Sequence, residues 1–183
     1  MDNLVHQAMA KWPNVPDCYG WLGLDARGDW YMRDDLVQQQ GPFITSKGSR
    51  LLHEKLIAFI GRNYDCDAKG RWFFQNGPQR VFVELEATPW IWRLQPDGHI
   101  QSHTGQEARM QRCVVDEHGR LYLETELGFG LVHTQDMLAA SDLIETGLWV
   151  PFEMRTAELP GRFAYVRSPQ QTQAAHAQEK TGS

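Results

Sequence analysis

Glu84 and Glu86 stand two apart in the run RVFVELE, residues 80–86. In a strand, residues i and i+2 leave the same face, so both carboxylates share one side while Val83 and Leu85 take the other. Paired carboxylates can hold a divalent cation or serve as acid and base. The plainer reading is a solvated sheet face with Arg80 or Arg93 as ion-pair partner, which polar-out alternation favours. His133 precedes Thr134 at the start of a helical stripe, where free backbone N–H groups favour an anion; a locally packed histidine is the plainer alternative. Trp90 and Trp92 share one strand face, as core or as a platform for a ligand or partner. Glu84, Glu86, Trp90, Arg93 and His133 are thus the candidate ligand-binding residues.

Other chemistries find little support. His99 and His103 are four apart in a strand, which separates them by ~13 Å, too far for a shared zinc. The sequence has no C-x-x-C, H-E-x-x-H or G-x-S-x-G motif. Cys113 with His118 or His133 could form a nucleophile and base, but Cys18, Cys66 and Cys113 sit at core-pattern positions, as structural thiols do. Gly128-Phe129-Gly130 lacks the length and lysine of a phosphate loop and reads as a bend or bulge. No catalytic residue, metal ligand or cofactor is assigned.

Charge and composition narrow the partners. A net charge of −5 with basic residues scattered singly provides no field for nucleic acid or an anionic membrane surface. No segment approaches the ~20 apolar residues of a membrane helix, and the N-terminus lacks a secretory pattern. Three widely spaced cysteines favour reduced thiols over a disulfide framework, so a cytoplasmic protein is expected.

The elements that must position these residues are hairpins. LGLDARGDWYM (22–32), YDCDAKGRWFF (64–74), WRLQPDGHIQS (92–102) and CVVDEHGRLYL (113–123) share one pattern. An apolar-x-apolar triplet leads into a four-residue turn ending in Gly28, Gly70, Gly98 or Gly119, and an apolar residue follows two positions later. Asp25, Asp67 and Asp116 can bond the backbone two residues on, and the glycine supplies positive φ. Unequal gaps between these glycines exclude a fixed-period solenoid.

A helix capped by Ser49 and carrying Leu52, Leu56, Phe59 and Ile60 is expected between the first two hairpins. A second, capped by Thr134, carries Met137, Leu138, Leu143 and Ile144 and ends near Gly147; a third spans Asp2–Trp12. Residues 80–86, 147–154 and 162–166 are further strands, with Pro151 at an edge or break. The expected class is α+β: repeated antiparallel β-hairpins in one or two sheets, packed with two to three helices. The expected organisation is an N-terminal arm over 1–16, a hairpin-helix-hairpin half over 17–88, a hairpin-hairpin-helix half over 89–167, and a disordered tail over 168–183.

The order of pieces resembles the proteobacterial domain-of-unknown-function family 1285, or a divergent neighbouring family. It rests on the Asp25–Trp30 hairpin, the helix in LLHEKLIAFI, the Asp67–Trp72 hairpin and, most specifically, RVFVELEATPW at Arg80–Trp90. The likeness spans about Asp17 to Phe152 and is weaker after Leu94. It implies an α+β fold with repeated motifs and a suggested place in signal transduction; it brings no catalytic residues. The function expected is a non-enzymatic regulatory module that binds a small ligand or a protein. The alternatives are a hydrolase or other small-molecule enzyme using Glu84 or Glu86 with His133, and a scaffold that homodimerises through a sheet edge.

Overall fold

The computed structural model describes residues 1–95 and 98–181; Pro96 and Asp97 of the third turn, and Gly182 and Ser183 of the expected tail, lie outside them. In chain order the elements are α1 (Asn3–Lys11), β1 (Cys18–Leu24), β2 (Trp30–Met32), α2 (Asp35–Gln39), β3 (Ser49–Arg50), α3 (Glu54–Arg62), β4 (Tyr64–Cys66), β5 (Trp72–Asn76) and β6 (Gln79–Leu85). There follow β7 (Trp90–Leu94), β8 (Ile100–Ser102), β9 (Glu107–Ala108), β10 (Met110–Val115), β11 (Leu121–Thr125), β12 (Gly128–Val132), α4 (Met137–Glu145), β13 (Pro151–Glu153), α5 (Leu159–Arg162) and α6 (Pro169–Thr181). The class is α+β, and among the described residues no helix is long and apolar enough to cross a membrane.

The chain divides into two compact units. The first comprises Met1–Asp25, Asp29–Glu86 and Val166–Ser183; the second comprises Ala26–Gly28 and Ala87–Tyr165. The first unit's sheet has the order β3-β2-β1-β6-β5-β4. Cross-strand pairing sets Leu22, Leu24, Trp30, Tyr64, Phe74, Val83 and Leu85 on one face. Trp30 and Tyr64 meet edge to face with centroids 5.3 Å apart, although four strand spacings, ~19 Å, separate β2 from β4 in a flat sheet. The sheet therefore curls around that face. On its other face Phe43 lies against Gly23, where an added Cβ would sit 2.3 Å from the ring.

The second unit's sheet has the order β13-β10-β11-β12-β7-β8-β9. Apart from β13 this is the first order again, a hairpin whose leading strand pairs in parallel with the last strand of a three-stranded meander. The registers coincide as well. Leu24↔Trp30 corresponds to Leu94↔Ile100, Cys66↔Trp72 to Val115↔Leu121, Phe73↔Phe82 to Tyr122↔Leu131, and the parallel pair Leu22↔Val83 to Trp92↔Val132. One numbering offset relates the hairpins and a smaller one the meanders; the stretch holding α2 and α3 accounts for the difference. The unequal glycine spacing thus comes from an insertion within a twofold repeat. Gly28, Gly70, Gly98 and Gly119 all have positive φ, between 73° and 86°.

Several local expectations are corrected. Ser49 lies in β3, and the cap of α3 is His53, whose Nδ1 accepts from the Leu56 N–H at 3.2 Å. Leu52 is consequently outside the helix and 77% exposed. The second helix is capped by His133 one residue before Thr134 and opens with a 3-10 turn over Thr134–Asp136. Residues 162–166 form no strand: Arg162 ends α5 and Ala164 takes a φ of +50°. Gly128-Phe129-Gly130 lies in β12. An added Cβ at Gly130 would meet Trp92 Nε1 at 2.4 Å, so glycine is required there to admit an indole. The expected disordered tail is helical from Pro169 to Thr181, because its first turn has a partner in the sheet.

Candidate functional site

Glu84 and Glu86 do share a face, but it is covered. Glu84 is buried; its Oε2 accepts from Ser168 Oγ at 2.5 Å and its Oε1 from the Gln170 N–H at 2.9 Å. It thereby caps the N-terminus of α6 from the centre of the first sheet. Burial raises its carboxyl above the ordinary value, against the opposing pull of those two bonds and of Arg33. Arg33, absent from the sequence reading, is buried and donates to the carbonyls of Ser46, Gly20 and Gly41 at 3.0, 3.1 and 2.6 Å. Glu86 pairs with Lys47 at 2.8 Å, and Lys47 also lies 3.7 Å from Asp25. The partner expected from the sequence, Arg80 or Arg93, is thus replaced by Lys47. Arg80 stacks over Phe73, and Arg93 belongs to the second unit.

Trp90, Arg93 and His133 all lie in the second unit. Trp90 and Trp92 are buried and stacked at 5.8 Å; their indole N–H groups donate to the carbonyls of Leu127 and Leu123 at 2.9 and 3.1 Å. These are core indoles with satisfied donors. Arg93 Nε donates to Asp136 Oδ2 at 2.6 Å, and the Leu94 N–H reaches the same oxygen at 3.1 Å. His133 Nδ1 accepts from the Gln135 N–H at 3.1 Å, and the His133 backbone N–H donates to the Trp92 carbonyl at 2.9 Å. The candidate residues therefore fall into two groups, two in the first unit and three in the second, with local structural contacts in each.

A more open constellation sits around the fourth turn. Asp116 Oδ1 accepts from the His118 and Arg120 N–H groups, both at 2.9 Å. Its Oδ2 accepts from Arg120 Nε at 2.7 Å, Tyr122 Oη at 2.8 Å and Thr156 Oγ1 at 2.9 Å. Burial alone would raise this carboxyl, but the bonds from Arg120, Tyr122, Thr156 and His118 outweigh it and bring it down to about 2. Asp116 is therefore a fixed, saturated anion, with its charge met by Arg120.

Asp116 forms one wall of a cavity of about 460 Å³, whose other lining residues are Val115, Glu117, Glu153, Met154, Arg155 and Glu158. With Asp116 and Arg120 paired, the lining carries three carboxylates and one guanidinium. Glu117 Oε2 is fixed by the Thr156 N–H at 2.8 Å, and Glu158 Oε2 by the Arg155 N–H at 3.1 Å. Approaching this wall, the chain alternates: Leu148, Val150 and Phe152 are 71%, 71% and 60% exposed, while Trp149 between them is 8% exposed. Leu148, Val150 and Phe152 thus present three exposed apolar side chains along the stretch that leads into and enters the edge strand β13.

That edge is poor at strand addition. The Met154 N–H donates to the Val115 carbonyl at 3.0 Å. Backbone N–H groups alternate sides along a strand, so Phe152 also faces β10 while Pro151 and Glu153 face outward. Proline has no N–H to offer there.

Two mixed sheets of one register, extended in the second unit by β13, define an internally repeated α+β protein. The chain belongs to the family described as "Protein of unknown function (DUF2946)", whose model, DUF2944, matches residues 1–170. It is also similar to two crystal structures of DUF1285 family proteins. One, from Silicibacter pomeroyi DSS-3, is 13% identical, with 78% of this chain and 85% of that chain covered and a TM-score of 0.49. The other, from Shewanella baltica OS155, is 16% identical, with 67% and 91% covered and a TM-score of 0.45. The sequence's resemblance, carried by the order of hairpins, helix and Arg80–Trp90, is to the DUF1285 family or a divergent neighbour; these two structures are of that family, and the family to which this chain belongs is a separately described one. No curated protein matches the chain.

Proposed function

We propose that the protein is a non-enzymatic regulatory binding module whose working surface is the outer face of residues 148–155. Its partner is a polypeptide segment that combines apolar side chains with a cation. The observation that carries this reading is the alternating exposure of Leu148, Val150 and Phe152 beside a cavity lined by Glu117, Glu153 and Glu158. Exposed apolar side chains in a contiguous run lose an unfavourable water contact on docking, and the acidic wall selects the sign of what docks. Pro151 on the outward edge disfavours the scaffold alternative, in which two copies join strand to strand. Side chains rather than backbone therefore make the contact. Three free thiols support a reducing, cytoplasmic setting.

Isothermal titration with a short capped peptide alternating lysine and leucine, and with its glutamate–leucine counterpart, tests the reading. The lysine peptide is expected to bind, the glutamate peptide to bind at least about tenfold more weakly, and Phe152→Ser to weaken the lysine peptide by a similar factor. No binding of either peptide, equal binding of both, or indifference to Phe152→Ser would overturn it.

A further inference from the structure

We infer that the second unit carries a separate binding site for a small zwitterion of amino-acid size, in the cavity between β9, the start of β10 and the turn joining β11 to β12. The cavity measures about 520 Å³ and is lined by His99, Glu107, Ala108, Arg109, Gln111 and Glu126. That volume is in the range of small-molecule sites, roughly 300–1,000 Å³. None of its residues lines the acidic cavity beside β13.

The lining carries both signs of charge. Glu126 is set in place by the backbone: the Arg109 N–H donates to its Oε2 at 2.8 Å and its Oε1 at 3.1 Å. A carboxylate held by one amide keeps lone pairs for a ligand ammonium, and Glu107 on the edge strand β9 supplies a second acceptor. The Arg109 guanidinium makes no hydrogen bond or ion pair with another side chain among the described residues, so its planar fork is available for a carboxylate. Gln111 and His99 add polar groups on the same lining. The floor is firm, because Ala108 is buried and pairs with the buried Ile100. An ammonium facing Glu107 and Glu126 and a carboxylate facing Arg109 complement the lining; a plain anion meets like charge at the two glutamates, and a plain cation meets it at the arginine.

A thermal-shift screen of the full chain against the free amino acids at about 10 mM tests the site, with the N-acetyl and C-amide derivatives of any hit as controls. A ligand at about ten times its dissociation constant is expected to raise Tm by about 3–6 °C. Both derivatives, each lacking one charge, are expected to lose the shift, as is Arg109→Gln, whose exposed side chain leaves the fold unchanged. Glu126→Gln is expected to reduce the shift without lowering the Tm of the ligand-free protein by more than a few degrees. A screen with no hit, a hit whose acetylated or amidated form binds equally, or a hit indifferent to Arg109→Gln would overturn the assignment. None of these results bears on the β13 surface, since the lysine–leucine peptide reads that surface separately.

Discussion

The two units have the same sheet, and the same aspartate turn, but they use matched positions differently. Asp67 and Asp116 occupy equivalent turns. Each bonds the N–H two residues on at 2.9 Å, the N–H four residues on at 3.0 or 2.9 Å, and the Nε of Arg71 or Arg120 at 2.8 or 2.7 Å. At the end of the meander the registers make Glu84 equivalent to His133, and both accept a backbone N–H at a helix N-terminus. His133 caps the segment that follows it directly, whereas Glu84 caps α6, which arrives from the far end of the chain. The comparison teaches that turn chemistry preserves the repeat while the strand ends are free to recruit different helices. The unit that gains β13 also gains the exposed apolar face.

The sharpest way to break this equivalence is to exchange residues between the units. Val81 and Gly130 are matched by register, yet only Gly130 lies under an indole. Gly130→Val is expected to destabilise the protein by about 3 kcal/mol or more, since the new side chain displaces Trp92 and its bond to Leu123. Val81→Gly is expected to cost only about 1–2 kcal/mol. Urea unfolding of the two variants checks the asymmetry; equal losses would mean that the registers do not correspond.

The matched aspartates give the next effect. Asp116 also holds Tyr122 and Thr156, which Asp67 does not, so Asp116→Asn is expected to cost about 2 kcal/mol and Asp67→Asn about 1. The Asp116 carboxyl lies at about 2, below its unfolded value of 3.8. Its stabilisation is therefore complete above the unfolded value and is lost as pH falls through about 2. Unfolding midpoints followed down the acid limb should show that loss in the native protein and not in Asp116→Asn.

Glu84 has the opposite sign. Its folded value is raised, so the protonated form is favoured and stability declines as pH rises through that value. Glu84→Gln keeps an acceptor for the Gln170 N–H and is expected to be neutral or slightly stabilising at neutral pH, with that pH dependence gone. Glu84→Ala leaves the cap unmade and is expected to cost about 1–2 kcal/mol, with α6 losing amide-exchange protection first.

Much of the frame was legible in the sequence. Glycine at all four turns, with aspartate at three of them, specified the hairpins, and alternation placed Trp30, Ile100 and Leu121 inside, while Trp72 is half-buried. The shared face of Glu84 and Glu86 was also readable. What covers that face was not, because Ser168 and Gln170 lie more than eighty residues away and their segment has too little apolar surface to announce that it docks. The caps at His53 and His133 were missed by a few residues for a chemical reason: serine and threonine stood nearby as the commoner capping types. The β13 face escaped notice since a pattern of alternating apolar residues marks a strand without saying which side meets water. Arg33 carried no sequence signal, as its partners are carbonyls.

Amide hydrogen exchange of the full chain, with and without the lysine–leucine peptide, tests the functional assignment most directly. Slowed exchange is predicted over residues 148–155 and at Glu117 and Glu158, with the matched turn of the first unit around Asp67 unchanged, and Phe152→Ser should shift the effect to about tenfold higher peptide concentration while leaving the free protein's exchange pattern intact. Slowing confined to the first unit, or none at peptide concentrations that saturate calorimetric binding, would contradict it.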